Sequence, residues 1–143
     1  MTPAGILESA LYVDDLDRAE AFYGGVLGLE RIAKVEGRHV FFRCGDGVLL
    51  LFDPAETAKP PKPDAKLPVP PHGTTGEGHL CFRATGAEIE RWKAHLEAQG
   101  IEIEADFRWP ARGEEPSGGR SIYFRDPAGN SLEIAEPRIW GLE

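Results

Sequence analysis

The sequence predicts an α+β fold: two tandem β-α-β-β-β modules whose curved mixed sheets each carry one helix and together form a metal-binding cleft. Three observations predict it. The element order of residues 5–54 recurs in residues 78–137, which marks an internal duplication. Seven of the twelve prolines lie in residues 54–78, between the two copies. Each copy also ends on an aromatic-rich hairpin, where Phe41-Phe42-Arg43 in the first answers Tyr123-Phe124-Arg125 in the second. One domain is expected, with modules at 5–54 and 78–137, a proline-rich linker at 55–77 and a tail at 138–143.

In chain order, residues 6–13 alternate as a strand. Leu7, Ser9, Leu11 and Val13 share one face, and Ile6, Glu8, Ala10 and Tyr12 the other. Asp14-Asp15 caps a helix whose apolar stripe is Ala19, Phe22, Tyr23, Val26 and Leu27. Gly24-Gly25 weakens its last turns, and Gly28 ends it in a left-handed conformation. Strands follow at about 29–36, 38–44 and 48–53, the last two joined by Gly45-Asp46-Gly47. The linker is expected to be extended, with polyproline II character.

The second copy opens with a strand at 78–83. Thr85 and Glu88 have capping-box spacing, Ile89, Trp92 and Leu96 form the helix stripe, and Gly100 ends it. A strand at 101–106 and a loop at 107–118 lead to the closing hairpin at 121–136. Pro127 presets an early turn position there, and Gly129 supplies the positive φ that closes the turn.

Composition narrows the function classes. The 143 residues suffice for one proper core, burying roughly 68–70% of the unfolded surface. A formal net charge of −8 argues against nucleic acid and anionic membranes as partners. No apolar run approaches the ~18 residues of a spanning helix. The start, Met-Thr-Pro-Ala-Gly, has no basic region or long apolar run, so no signal peptide is expected. Cys44 and Cys81 lack metal-type spacing and read as free thiols, which fits a cytoplasmic location.

Aligning the copies at their ends places Glu8 on His79 and Leu50 on Glu133. In each strand the polar residue lies opposite the apolar, helix-packing face: Glu8 opposite Leu7 and Leu11, His79 opposite Leu80 and Phe82, Glu133 opposite Leu132 and Ile134. Carboxylates brought together without a cation repel and lose hydration. A divalent metal removes both costs, so Glu8, His79 and Glu133 are the predicted metal ligands. Three protein ligands leave positions open for a small-molecule substrate. The ligand set suits Mn²⁺, Fe²⁺, Zn²⁺ or Ni²⁺. Arg112 and Arg120 stand near the last hairpin as candidate anchors for an anionic substrate.

Residues 10–23 (Ala-Leu-Tyr-Val-Asp-Asp-Leu-Asp-Arg-Ala-Glu-Ala-Phe-Tyr), 26–29 (Val-Leu-Gly-Leu) and 123–133 (Tyr-Phe-Arg-Asp-Pro-Ala-Gly-Asn-Ser-Leu-Glu) resemble the patterns of the vicinal oxygen chelate superfamily of glyoxalases, bleomycin-resistance proteins and extradiol dioxygenases. The resemblance spans nearly all of residues 5–137. It implies paired β-α-β-β-β modules with ligands on the first and last strand of each, the four slots found above. Fosfomycin transferases and extradiol dioxygenases use three of these slots, though with His where this chain has Glu8. Glyoxalase I types fill all four, and here Leu50 blanks one. The resemblance also implies an active-site Tyr ten residues before the final ligand, matched by Tyr123. It implies an acid–base His upstream of the second-module ligand, for which His72 is the candidate, off the family spacing.

The leading expectation is a metal-dependent lyase, dioxygenase or transferase that chelates two neighbouring oxygens of a small substrate, working as a homodimer. The alternative is a metal-free antibiotic-binding protein of the bleomycin-resistance type.

Overall fold

The computed structural model describes residues 1–111 and 118–142. The chain divides into two compact units, residues 1–78 and 79–143. Each holds one four-stranded mixed sheet, as the duplication predicts.

The first unit contains β1 (Glu8–Tyr12), α1 (Leu16–Glu20), β2 (Glu30–Val35), β3 (His39–Cys44), β4 (Gly47–Phe52) and α2 (Pro54–Thr57). Its strand order is β1-β4-β3-β2. β1 runs parallel to β4, and the other pairs are antiparallel. Asp15 caps α1 by accepting from the Arg18 amide at 3.0 Å. Beyond Glu20 the helix widens into a π-type stretch, Ala21–Val26, which contains Gly24-Gly25. There the Leu27 amide donates to the carbonyl of Phe22, five residues back. Gly28 then closes the helix at φ 72°, as its position predicts. One sheet face buries Leu11, Val13, Val40, Phe42, Leu49 and Leu51 with the helix residues Ala19, Phe22, Tyr23 and Leu27.

The second unit contains β5 (His79–Arg83), α3 (Gly86–Ala98), β6 (Ala105–Arg108), β7 (Arg120–Arg125), β8 (Ser131–Ala135) and a short 3₁₀ turn, Pro137–Trp140. Its order, β5-β8-β7-β6, repeats that of the first unit, again with one parallel pair, β5 with β8. The capping box forms as predicted. The Thr85 amide donates to the Glu88 carboxylate at 2.7 Å, and the Glu88 amide to the Thr85 hydroxyl at 3.2 Å. Ile89 and Leu96 of α3 are buried, as are Ile122, Phe124, Leu132 and Ile134 of β7 and β8.

Three elements differ from expectation. The linker does not begin extended: Pro54 opens α2, whose cap is Asp53, accepting from the Ala55 amide at 2.9 Å. Farther on, the linker returns to the first unit. The His72 amide donates to the Thr57 carbonyl at 2.9 Å. The second strand of the second copy lies at 105–108, not 101–106, because Phe107 and Arg108 pair with Ser121 and Arg120 of β7. The β7–β8 turn owes more to Asp126 than to Pro127. Its buried carboxylate accepts from the amides of Ala128 and Asn130 at 3.0 and 2.8 Å and from Asn130 Nδ2 at 3.0 Å, while Gly129 takes φ 91°.

Candidate metal centre and ligand cleft

Strand register places the slots as the duplication requires. In the first unit Ala10 pairs with Leu50, two residues after Glu8. In the second, Cys81 pairs with Glu133, two residues after His79. Glu8 and His79 are thus equivalent by register, as are Leu50 and Glu133. The same rows place Phe41 opposite Leu50 and Tyr123 opposite Glu133.

In the second unit, His79 Nε2 lies 3.3 Å from Oε2 of Glu133. His79 Nδ1 lies 3.0 Å from the Ser131 carbonyl. A carbonyl only accepts, so Nδ1 is the donor there and Nε2 is the ring nitrogen turned to the carboxylate. Glu133 is 5% exposed. Its Oε1 accepts from Ser121 Oγ at 2.6 Å, and Ser121 Oγ accepts from Trp109 Nε1 at 2.8 Å. Trp109 and Ser121 therefore fix the carboxylate from behind and leave Oε2 facing the imidazole.

Tyr123 stacks on His79 at 6.2 Å between ring centroids, and Phe107 stacks on Tyr123 at 5.8 Å. Burial, and then the negative charge of Glu133, push the Tyr123 hydroxyl up to about 12. At neutral pH it is a proton donor. The Cys81 thiol is likewise pushed up to about 12, by burial first and Glu133 second.

This pair fits a divalent metal. Ligand bonds of about 2.0–2.1 Å set neighbouring ligand atoms about 3.0–3.4 Å apart. The imidazole already donates Nδ1–H to a backbone carbonyl, as metal-bound His does, and the carboxylate is held by a hydroxyl. Among the described residues, no group of three or more His, Cys, Asp or Glu gathers around one point. His79 and Glu133 meet in the second unit, while Glu8 stands on β1 of the first.

Glu8 borders a cleft of about 590 Å³ in the first unit. Its floor follows the strand register: Glu8 at one end, then the row of Ala10, Leu50 and Phe41, then Phe52 with His39. The linker residues Val69–His72 form its other side. His72 is half-buried there. Its Nδ1 lies 2.6 Å from the Tyr12 hydroxyl, and its ring meets Phe52 edge-on at 4.7 Å. Leu50 and Phe52, both buried, line this cleft together with the Val69–His72 segment. Sequence reasoning missed Arg38 and His39 at the end of this cleft. The signal was present: strand alternation puts His39 on the Phe41 face.

Of the two candidate anchors, Arg112 lies outside the described residues. Arg120 is turned to carboxylates: Nε and Nη2 donate to Asp106 at 2.8 Å each, and Nη1 pairs with Glu90. This cluster ties β6 and β7 to α3.

The fold is that of a known class. The chain belongs to the Glyoxalase/Bleomycin resistance protein/Dioxygenase superfamily, whose model matches residues 5–134. It is similar to the crystal structure of lactoylglutathione lyase from Agrobacterium tumefaciens, with 49% identity and a TM-score of 0.88 over 99% of this chain and 100% of that one. A virulence protein from Salmonella typhimurium shares 28% identity and a TM-score of 0.68, over 95% of this chain and 98% of that one. Glutathione transferase FosA from Serratia marcescens is 29% identical over 125 residues, 87% of this chain and 74% of that protein. No helix among the described residues is long and apolar enough to cross a membrane.

Proposed function

We propose that the protein is a metal-dependent enzyme acting on a small oxygenated substrate, with Glu8, His79 and Glu133 as ligands to one divalent ion, Mn²⁺, Fe²⁺, Zn²⁺ or Ni²⁺. The observation that carries this reading is the His79–Glu133 pair, 3.3 Å apart with the far imidazole nitrogen donating to a backbone carbonyl. When bound, the ion supplies Lewis acidity to two neighbouring substrate oxygens. Glu133 contributes a negative charge kept in place by Ser121 and Trp109. Tyr123, protonated at neutral pH, donates a hydrogen bond or a proton to the substrate. His72, held by Tyr12, is the second group for proton transfer. Arg112 is the proposed second-unit substrate anchor, and Arg120 serves the sheet.

The reaction falls among lyase, dioxygenase and transferase chemistries. The neighbour named lactoylglutathione lyase supports the first, and the relative named glutathione transferase supports the last. Leu50 in the fourth slot leaves three protein ligands and more room for substrate oxygens.

The proposed working form is a homodimer.

Metal analysis of protein purified without chelator tests the reading. About one equivalent per chain is expected, together with thermal stabilisation by added Mn²⁺, Zn²⁺ or Ni²⁺, since a ligand at 100 times its Kd stabilises by about 2.7 kcal/mol. Less than about a tenth of an equivalent, with no stabilisation, overturns it in favour of a metal-free binding protein.

A further inference from the structure

The first-unit cleft is polarised from end to end. Glu8 stands at one end. Arg38, His39, Tyr12 and His72 gather at the other, four residues farther along β1, or about 13 Å at about 3.3 Å per residue. Between them lie Ala10, Leu50 and Phe41, with Phe52 in the row of His39, opposite Val69, Pro70 and Pro71.

Arg38 is half-buried, with its guanidinium carbon 5.9 Å from the centre of the Phe52 ring. Its Nη1 donates to His39 Nδ1 at 2.6 Å. Among the described residues it has no carboxylate partner. That is notable in a chain with 24 acidic and 16 basic residues, where the half-buried Lys34 is paired with Glu20 and Glu36 and the half-buried Arg120 with Asp106. Because Arg38 can only donate, His39 carries its proton on Nε2, a second donor at the same end. Burial, and then the adjacent Arg38, lower the His39 pKa and keep that ring neutral. The His39 ring stacks on Phe41 at 4.0 Å with 9° between planes, extending a flat wall along the cleft.

From this juxtaposition we infer that the cleft binds an organic acid with a flat apolar body, its anionic group on Arg38 and His39 and its body between Phe41, Phe52 and the Val69–Pro71 segment. The volume is in the range of small-molecule sites, and an apolar lining with a few convergent polar groups is their usual make-up. The remaining end of the molecule points toward Glu8. The inference deepens the reading above, resting on Glu8 only for what happens at that end.

The test uses the full chain in excess chelator, so it does not depend on metal. 2-Naphthoate and its neutral amide, 2-naphthamide, are titrated by calorimetry or ligand-observed NMR. The acid is expected to bind about tenfold more tightly than the amide, the effect of one charge-assisted hydrogen bond. In Arg38→Gln that preference should shrink to about twofold or less, and Arg38→Lys should keep most of it. Raising salt supplies the same test without a variant: naphthoate binding weakens and naphthamide binding does not. Equal affinities, a preference that survives Arg38→Gln, or binding of neither probe overturns the inference. Failure here leaves the metal-content result standing, and an absent metal leaves this result standing.

Discussion

The Ser121 hydroxyl donates to Glu133 Oε1 at 2.6 Å from the neighbouring strand, and so turns the other carboxylate oxygen toward His79. Ser121→Ala removes that hold and leaves the Trp109 indole N–H without its acceptor. Metal affinity is expected to fall about tenfold, the low end for a partner that orients a ligand. Stability should fall by about 1–3 kcal/mol, the cost of a buried polar group left unpaired. Thermal melts across a zinc titration measure both. Unchanged zinc dependence with lowered stability would assign Ser121 to the fold alone.

Glu133→Ala is expected to abolish metal binding while the fold survives. The apolar face of β8, Leu132 and Ile134, is untouched, and Trp109 still bonds Ser121. Circular dichroism should match the parent, and melts should no longer respond to Mn²⁺, Zn²⁺ or Ni²⁺. An unfolded variant would make Glu133 a structural residue.

Mixing Glu8→Ala with Glu133→Ala tests whether ligands cross between copies. Each variant alone should bind no metal at the site. After unfolding and refolding together, half the dimers are mixed and each has one intact site, so about a quarter of the parent's metal content should return. If both units of a site come from one chain, nothing returns.

Asp106 sets an acid limit on the second unit. Hydrogen bonds from Arg120, and then from Lys93, hold its carboxyl well below the usual carboxylate range. A depressed native pKa stabilises the fold above the unfolded value and loses that contribution as pH falls through the native one. Asp106→Asn should therefore cost about 1 kcal/mol at pH 7, a partly exposed pair being discounted for solvent. The deficit should hold down to about pH 4 and shrink below it. Urea unfolding of parent and variant at pH 7, 4 and 2.5 gives the comparison.

Period and punctuation made most of the fold legible. Leu11 and Val13 alternate with Glu8 and Tyr12 in the sequence, and the two sets lie on opposite faces of β1. Thr85 and Glu88 have capping-box spacing, and the box forms. Glu8, His79 and Glu133 could be singled out because the duplication compares like strands with like. Three things were not legible. Phe107 and Arg108 join β6 because β7 offers them partners, and pairing between strands leaves little trace in local sequence. Asp126 reads as one more turn residue until its three hydrogen bonds are seen. His72 sits in a proline-rich run that looks solvent-exposed; its amide bond to Thr57 and its ring's contacts with Tyr12 and Phe52 bring it onto the sheet.

That return of the linker has an evolutionary consequence. A duplicated module begins as two interchangeable halves, and any change that helps one helps the other. With Val69–His72 attached to only one of them, a change that suits one half need not suit the other. The half that carries the proposed His79–Glu133 pair has no such roof from residues 69–72, so the size, charge and flatness of the roofed cleft can change without touching that pair. Substrate range in this lineage should accordingly track residues 38, 39 and 69–72, with the chemistry of His79 and Glu133 left untouched.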